Sequence, residues 1–186
     1  MIKSIIEESI RVKESVLNEL VDNINDIANI IIGCYNKGGK LLVCGNGGSA
    51  ADAQHFAGEL VGKFLKERKA LPCIALSTNT SIITAWSNDF EYDSVFSRQV
   101  EALGNKRDIL IGISTSGNSK NIIDAMKKAK EMDIYTISLL GNKGGLIKDF
   151  ADSNIIVSSS NTPRVQEAHI LIIHILCELI EKRLFT

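Results

Sequence analysis

Five short apolar runs set the tightest limit on how this chain folds: Lys40–Cys44, Pro72–Leu76, Asp108–Ile113, Ile134–Leu140 and Asn154–Val157. Their apolar residues run on continuously instead of alternating with polar ones, as in strands buried on both faces. Helical spacing fills the intervals: Ser49–Leu65, Thr80–Leu103 with a break near Asn88, Ser119–Met132, Leu146–Phe150 and Thr162–Arg183. Strand and helix in alternation predict a parallel sheet wrapped by helices. The expected fold is α/β: a three-layer sandwich around a five-stranded parallel sheet in flavodoxin-like order. Ligands of such sheets bind beyond the carboxyl ends of the strands, near the switch in strand order.

Ahead of the first run, Ile2, Ile6, Ile10, Leu17, Leu20, Ile24, Ile27 and Ile31 recur at helical spacing. They predict one long or two stacked helices to about Tyr35, stopped by Lys37-Gly38-Gly39. Ile5, Val12 and Val16 widen the apolar surface beyond one stripe, so segment 1–36 is expected to bury area against another subunit. The 186 residues contain no internal repeat, linker or low-complexity stretch and read as a single domain.

Composition excludes several functions. The formal net charge is −1 and the basic residues are scattered, which leaves no nucleic-acid footprint. Cys34, Cys44, Cys73 and Cys177 are widely spaced in apolar contexts and read as buried, reduced thiols of a cytoplasmic protein. The N-terminal MIKSIIEESIRVKESV lacks the apolar core of a secretion signal. ILIIHILCELI is too short to span a bilayer.

Chemistry is expected in the loops after the strands. The first is Gly45-Asn46-Gly47-Gly48-Ser49-Ala50, which formally contains the dinucleotide pattern GxGxxA. A dinucleotide site also needs an acidic residue at the end of the second strand, and that end reads IALSTN. Glu67 lies in a polar turn before that strand, so the dinucleotide reading fails. After the third strand, Ser114, Thr115, Ser116 and Ser119 surround Gly117 at a helix N-terminus. Free N–H groups and the helix dipole favour an anion there. No GK[ST] lysine is present, which suits a single phosphate monoester. Asn88-Asp89 breaks the helix that follows the second strand.

In the helix behind the glycine loop, His55 and Glu59 are spaced i, i+4 and share a face. Such a pair chelates a metal or works as an acid–base couple. The last helix carries Gln166 and His174 in an otherwise apolar run. They lie about 80° apart around the axis and about 12 Å apart along it. One ion reaches both only with strain, unless the ligands come from different subunits or the helix bends.

CGNGGSAADAQHFAGEL, SNDF, GISTSGNS and RVQEAHILIIHILCELIEK together resemble the sugar isomerase (SIS) domain, and within it the phosphoheptose isomerases. The resemblance covers nearly the whole chain, 1–186 as one SIS domain. It implies conversion of sedoheptulose 7-phosphate to D-glycero-D-manno-heptose 7-phosphate, the first step towards activated heptose for surface glycans. It also implies a cytoplasmic homotetramer with active sites at subunit contacts and one zinc per subunit. The matching zinc ligands are His55, Glu59, Gln166 and His174. The matching sugar and phosphate contacts are Asn46, Gly47, Gly48, Ser49, Asn88, Asp89, Ser114, Thr115, Ser116 and Ser119, with Glu59 and Gln166. Glu59 is expected to be the carbon base and His174 the oxygen acid–base, with Asp52 a candidate to share the work. Regulatory SIS relatives, such as those that bind a replication initiator, tend to lose the glutamate of HFxxEL and the second histidine of the last helix. Both stand here, as Glu59 and His174.

Overall fold

In a computed structural model, which describes residues 1–185, the chain starts with two helices, α1 (Ile2–Glu19) and α2 (Val21–Asn36). The sheet follows as β1 (Leu41–Gly45), β2 (Cys73–Ala75), β3 (Ile109–Ser114), β4 (Tyr135–Gly141) and β5 (Ser153–Val157). Between the strands lie α3 (Gly48–Val61), α4 (Thr80–Asp89), α5 (Val95–Leu103) and α6 (Lys120–Glu131), and α7 (Thr162–Leu184) closes the chain. All strand pairs are parallel, in the order β2-β1-β3-β4-β5. Every residue of β1 and β3 is buried, which is why their apolar runs are unbroken.

Each face of the sheet has its own core. On one, Ile27, Ile31, Phe56, Ile172 and Leu176 from α2, α3 and α7 are covered almost completely. On the other, Phe96, Val100, Ile122 and Met126 from α5 and α6 fill the space over Leu42 and Leu110. Each such side chain contributes about 1.5–3 kcal/mol by leaving water.

The differences from expectation are local. α3 ends at Val61 instead of Leu65, because Gly62 stands at its C-cap. Leu146–Phe150 forms only a 3-10 turn, Ile147–Asp149. The break expected near Asn88 is real: α4 stops at Asp89 and a 3-10 turn, Tyr92–Ser94, precedes α5. The N-terminal segment divides at Leu20. α2 buries five residues, whereas α1 buries only Val12 and Val16 and leaves Ile2, Ile5, Ile6, Ile10 and Leu17 exposed. The four cysteines are buried and unbridged. Desolvation pushes the Cys34 thiol up to about 11 and those of Cys44 and Cys73 up to about 12, which keeps them protonated.

His169 is fully buried against β4, with Nε2 3.1 Å from the Leu140 carbonyl and Nδ1 unpartnered. A carbonyl only accepts, so the ring proton sits on Nε2. Desolvation pushes this imidazole down to about 4, although the Leu140 hydrogen bond favours the charged form. The unfolded chain, with histidine near 6.5, therefore takes up the proton first as pH falls. Stability from neutral His169 is complete above about pH 6.5 and is lost between about 6.5 and 4, by up to about 3 kcal/mol. Denaturant unfolding at stepped pH checks this. The wild-type midpoint should fall on acidification, and His169→Gln, which keeps an amide donor for Leu140, should lose that component.

Candidate functional site

The register pairs Gly45 of β1 with Ile113 of β3, so the loops that follow these strands emerge side by side at the carboxyl edge. The change in strand order falls here, since β2 and β3 flank β1.

In the first loop, Gly47 has φ +55 and acts as the N-cap of α3. A Cβ on Gly48 would strike the side-chain amide of Gln166, so backbone and amide meet closely at the start of α3. Ser49 is buried in the first turn. Asn46 and the buried Asn121 of α6 exchange amide hydrogen bonds of 3.0 and 2.9 Å. The Tyr92 hydroxyl donates a further bond, 2.9 Å, to Asn46 Oδ1. Asn121 and Tyr92 thus tie the glycine loop to the hydroxyl loop and to the segment after α4. Neither stands out in the sequence; the one available signal is Asn121 two positions past Ser119.

In the second loop, Ser114 Oγ lies 3.4 Å from Ser116 Oγ and 3.1 Å from Ser119 Oγ. Gly117 N–H donates to Ser114 Oγ and Asn118 N–H to Ser116 Oγ. Ser119 occupies the N-cap of α6, yet its hydroxyl makes no capping bond. Three hydroxyls therefore converge over a helix N-terminus without being used up as caps. Thr115 is half-buried beside them.

Behind the glycine loop, α3 meets α7. His55 Nε2 is 2.9 Å from His174 Nε2 and 3.1 Å from Glu59 Oε1. The ligand atoms of His55, Glu59 and His174 lie within 4.8 Å of one another, at a spacing that suits one small divalent cation. The Phe64 ring lies 5.6 Å from that of His174. Asp52, on α3 before His55, has one buried carboxyl oxygen without a partner. Burial pushes its carboxyl up to about 6, against the opposing pull of His55.

Gln166 lies apart from this cluster within one protomer. It sits at Gly48, two turns and about 10 Å along α3 from His55. α7 is uninterrupted, so its Gln166 and His174 reach α3 at different levels. Asn88 donates 2.9 Å to its neighbour Asp89 at the exposed end of α4. A concavity of about 990 Å³, lined among others by Lys37, Arg107 and Tyr135, opens at the opposite, amino-terminal pole of the strands and contains none of these groups.

The SIS domain family model matches residues 6–141, and the chain belongs to the SIS domain family. The phosphoheptose isomerase of Clostridium acetobutylicum is 54% identical, over 99% of this chain and 95% of its own length. The structure of a phosphoheptose isomerase from Neisseria gonorrhoeae matches with TM-score 0.93 and 45% identity, over 97% of each chain. One from Francisella tularensis matches with TM-score 0.95 and 41% identity, over 97% of this chain and 96% of its own. Within the SIS family this chain groups with the phosphoheptose isomerases. The family model stops before α7, which carries His174, whereas these full-length relatives extend over that helix.

Gly117 has φ +70, and a Cβ there would strike the backbone of Gly144. Gly117→Ala should therefore lower stability by about 2 kcal/mol. Gly33→Ala, in α2 with open space around it, should be neutral or gain up to about 1 kcal/mol. Denaturant midpoints of the two variants test this; equal midpoints would mean that the hydroxyl loop is not held as tightly as its geometry implies.

Proposed function

We propose that the protein is an aldose–ketose isomerase that converts sedoheptulose 7-phosphate to D-glycero-D-manno-heptose 7-phosphate, the entry to activated heptose for surface glycans. The observation that carries this is the meeting of His55, Glu59 and His174 directly behind a glycine loop at the ligand-binding edge of the sheet. The 54% identity to a phosphoheptose isomerase supports it. A non-catalytic phosphosugar-binding regulator has no need of a base beside an imidazole pair, and both Glu59 and His174 are in place.

Ser114, Thr115, Ser116 and Ser119 hold the phosphate, with the α6 N-terminus as the source of positive potential. Asn46, Gly47, Gly48 and Ser49 wrap the sugar backbone, and Gln166 faces the same loop. Phosphate binding remote from the reacting carbons fixes C1 and C2 before chemistry begins. Glu59 then takes the proton from C1 while His174 donates one to the C2 oxygen, which gives the cis-enediol. In the second half His174 takes the proton from the C1 oxygen and Glu59 returns one to C2, which gives the aldose.

His55, Glu59 and His174 have the donor set and spacing to hold one zinc per subunit; the proton transfers would then need Glu59 and His174 free of the ion, or Asp52 to share the work. When bound, the ion supplies Lewis-acid polarisation of the carbonyl. Gln166 is assigned to the sugar pocket; a metal role for it requires a rearrangement that carries its amide two turns along α3.

The assembly is read as a homotetramer in which neighbouring subunits complete the site. Two features support this: the exposed isoleucines of α1, and the exposure of Asn88 and Asp89 at the end of α4. Among the described residues no helix is long and apolar enough to cross a membrane. The free, buried cysteines suit the cytoplasm.

Purified protein incubated with sedoheptulose 7-phosphate should yield an aldose phosphate, and a chelator should lower the rate. No conversion with or without chelator would favour the regulator. Ile6→Glu combined with Ile10→Glu should reduce the mass seen by light scattering and abolish turnover while the chain stays folded. An unchanged mass would remove α1 from the interface.

A further inference from the structure

One buried ion pair has no part in the chemistry above, yet it joins both elements that carry the reacting groups. α3 ends at Val61, and a helix terminus leaves carbonyls without intrahelical partners. Arg68 fills that role: Nη1 donates to the Leu60 carbonyl at 2.7 Å and Nη2 to the Glu59 carbonyl at 2.8 Å. A guanidinium also complements the negative end of the helix dipole. Its Nε reaches Glu181 Oε2 on α7 at 3.2 Å, and the two side chains are only 2% and 3% exposed.

Glu181 in turn accepts three successive backbone N–H groups, from Phe64 (3.1 Å), Leu65 (2.9 Å) and Lys66 (2.6 Å). Burial alone would raise its carboxyl. The three N–H groups and Arg68 outweigh that and hold it below the usual carboxylate range. The segment fixed in this way carries Phe64, whose ring lies against His174. Glu181 stands seven residues after His174, two turns along almost the same stripe of α7.

We propose that Arg68 and Glu181 are positioning residues that staple α3 to α7 so that His55, Glu59 and His174 meet at metal-binding spacing, with Phe64 as a wedge that sets the His174 ring. The proposal rests on the reading of that cluster as a metal site. A buried ion pair adds little net stability compared with apolar residues of the same shape. Its effect lies in geometry: the Arg68 fork on the Glu59 and Leu60 carbonyls and the three N–H groups aligned on Glu181 tolerate little drift.

The test measures metal affinity and phosphate affinity separately, in wild type and in Glu181→Gln. Metal-free protein is titrated with zinc in competition with a chromophoric chelator, and with inorganic phosphate by calorimetry. The variant should bind zinc at least tenfold more weakly and phosphate within twofold of wild type, since the Ser114–Ser119 loop does not touch the pair. Zinc affinity within twofold of wild type, or an equal loss of both affinities, would overturn the proposal. If Glu181→Gln does not fold, Arg68→Lys, which keeps the charge and loses the fork, is read in the same way. If neither folds, the pair determines the fold and is not a positioning device. Wild-type protein that binds phosphate but no zinc would refute the metal assignment itself, a different failure from unchanged affinity in the variants.

Discussion

Everything the site does depends on α3 and α7 touching at His55 and His174, 2.9 Å apart at their Nε2 atoms. The two residues are 119 positions apart in sequence, and neither helix makes a site alone. α3 supplies His55 and Glu59 on one face. α7 supplies the second imidazole from an otherwise apolar helix packed over the same core. Two imidazoliums this close would repel each other, whereas two neutral ring nitrogens and a carboxylate are drawn together by a shared cation or proton. The arrangement therefore suits chemistry in which protons are moved between neighbouring atoms.

The sheet sets where that contact falls. β1 and β3 are adjacent and in register, so the glycine loop and the hydroxyl loop leave the same edge. Asn46, Asn121 and Tyr92 then lock the two loops to each other through side-chain amides and a phenol. In the proposed reading, a substrate anchored by its phosphate at α6 extends across the glycine loop toward α3. The binding energy and the chemistry act at different places on one molecule, which is how remote contacts accelerate a reaction.

The sheet, its order and both loops were legible in the sequence, because unbroken apolar runs and clustered glycines and hydroxyls are local signals. His55 and Glu59 were legible as a pair for the same reason, since i, i+4 spacing alone puts them on one face. Longer-range arrangements were not. The strain anticipated between Gln166 and His174 takes the form of two separate contacts with α3, one at Gly48 and one at His55. Nothing local marks Arg68, in the polar turn before β2, or Glu181, near the end of α7, as partners; folding buries them against each other. Helix ends shifted where a single residue decided, as at Gly62 and Leu20.

Glu59, held beside two imidazoles, is the group proposed to move the carbon-bound proton. Proton NMR in deuterated water follows exchange at C1 of sedoheptulose 7-phosphate on mixing with enzyme, for wild type and for Glu59→Gln. Wild type should exchange that proton, and Glu59→Gln should still bind the sugar phosphate but exchange it at least about 100-fold more slowly. Exchange at the wild-type rate in Glu59→Gln would contradict the account.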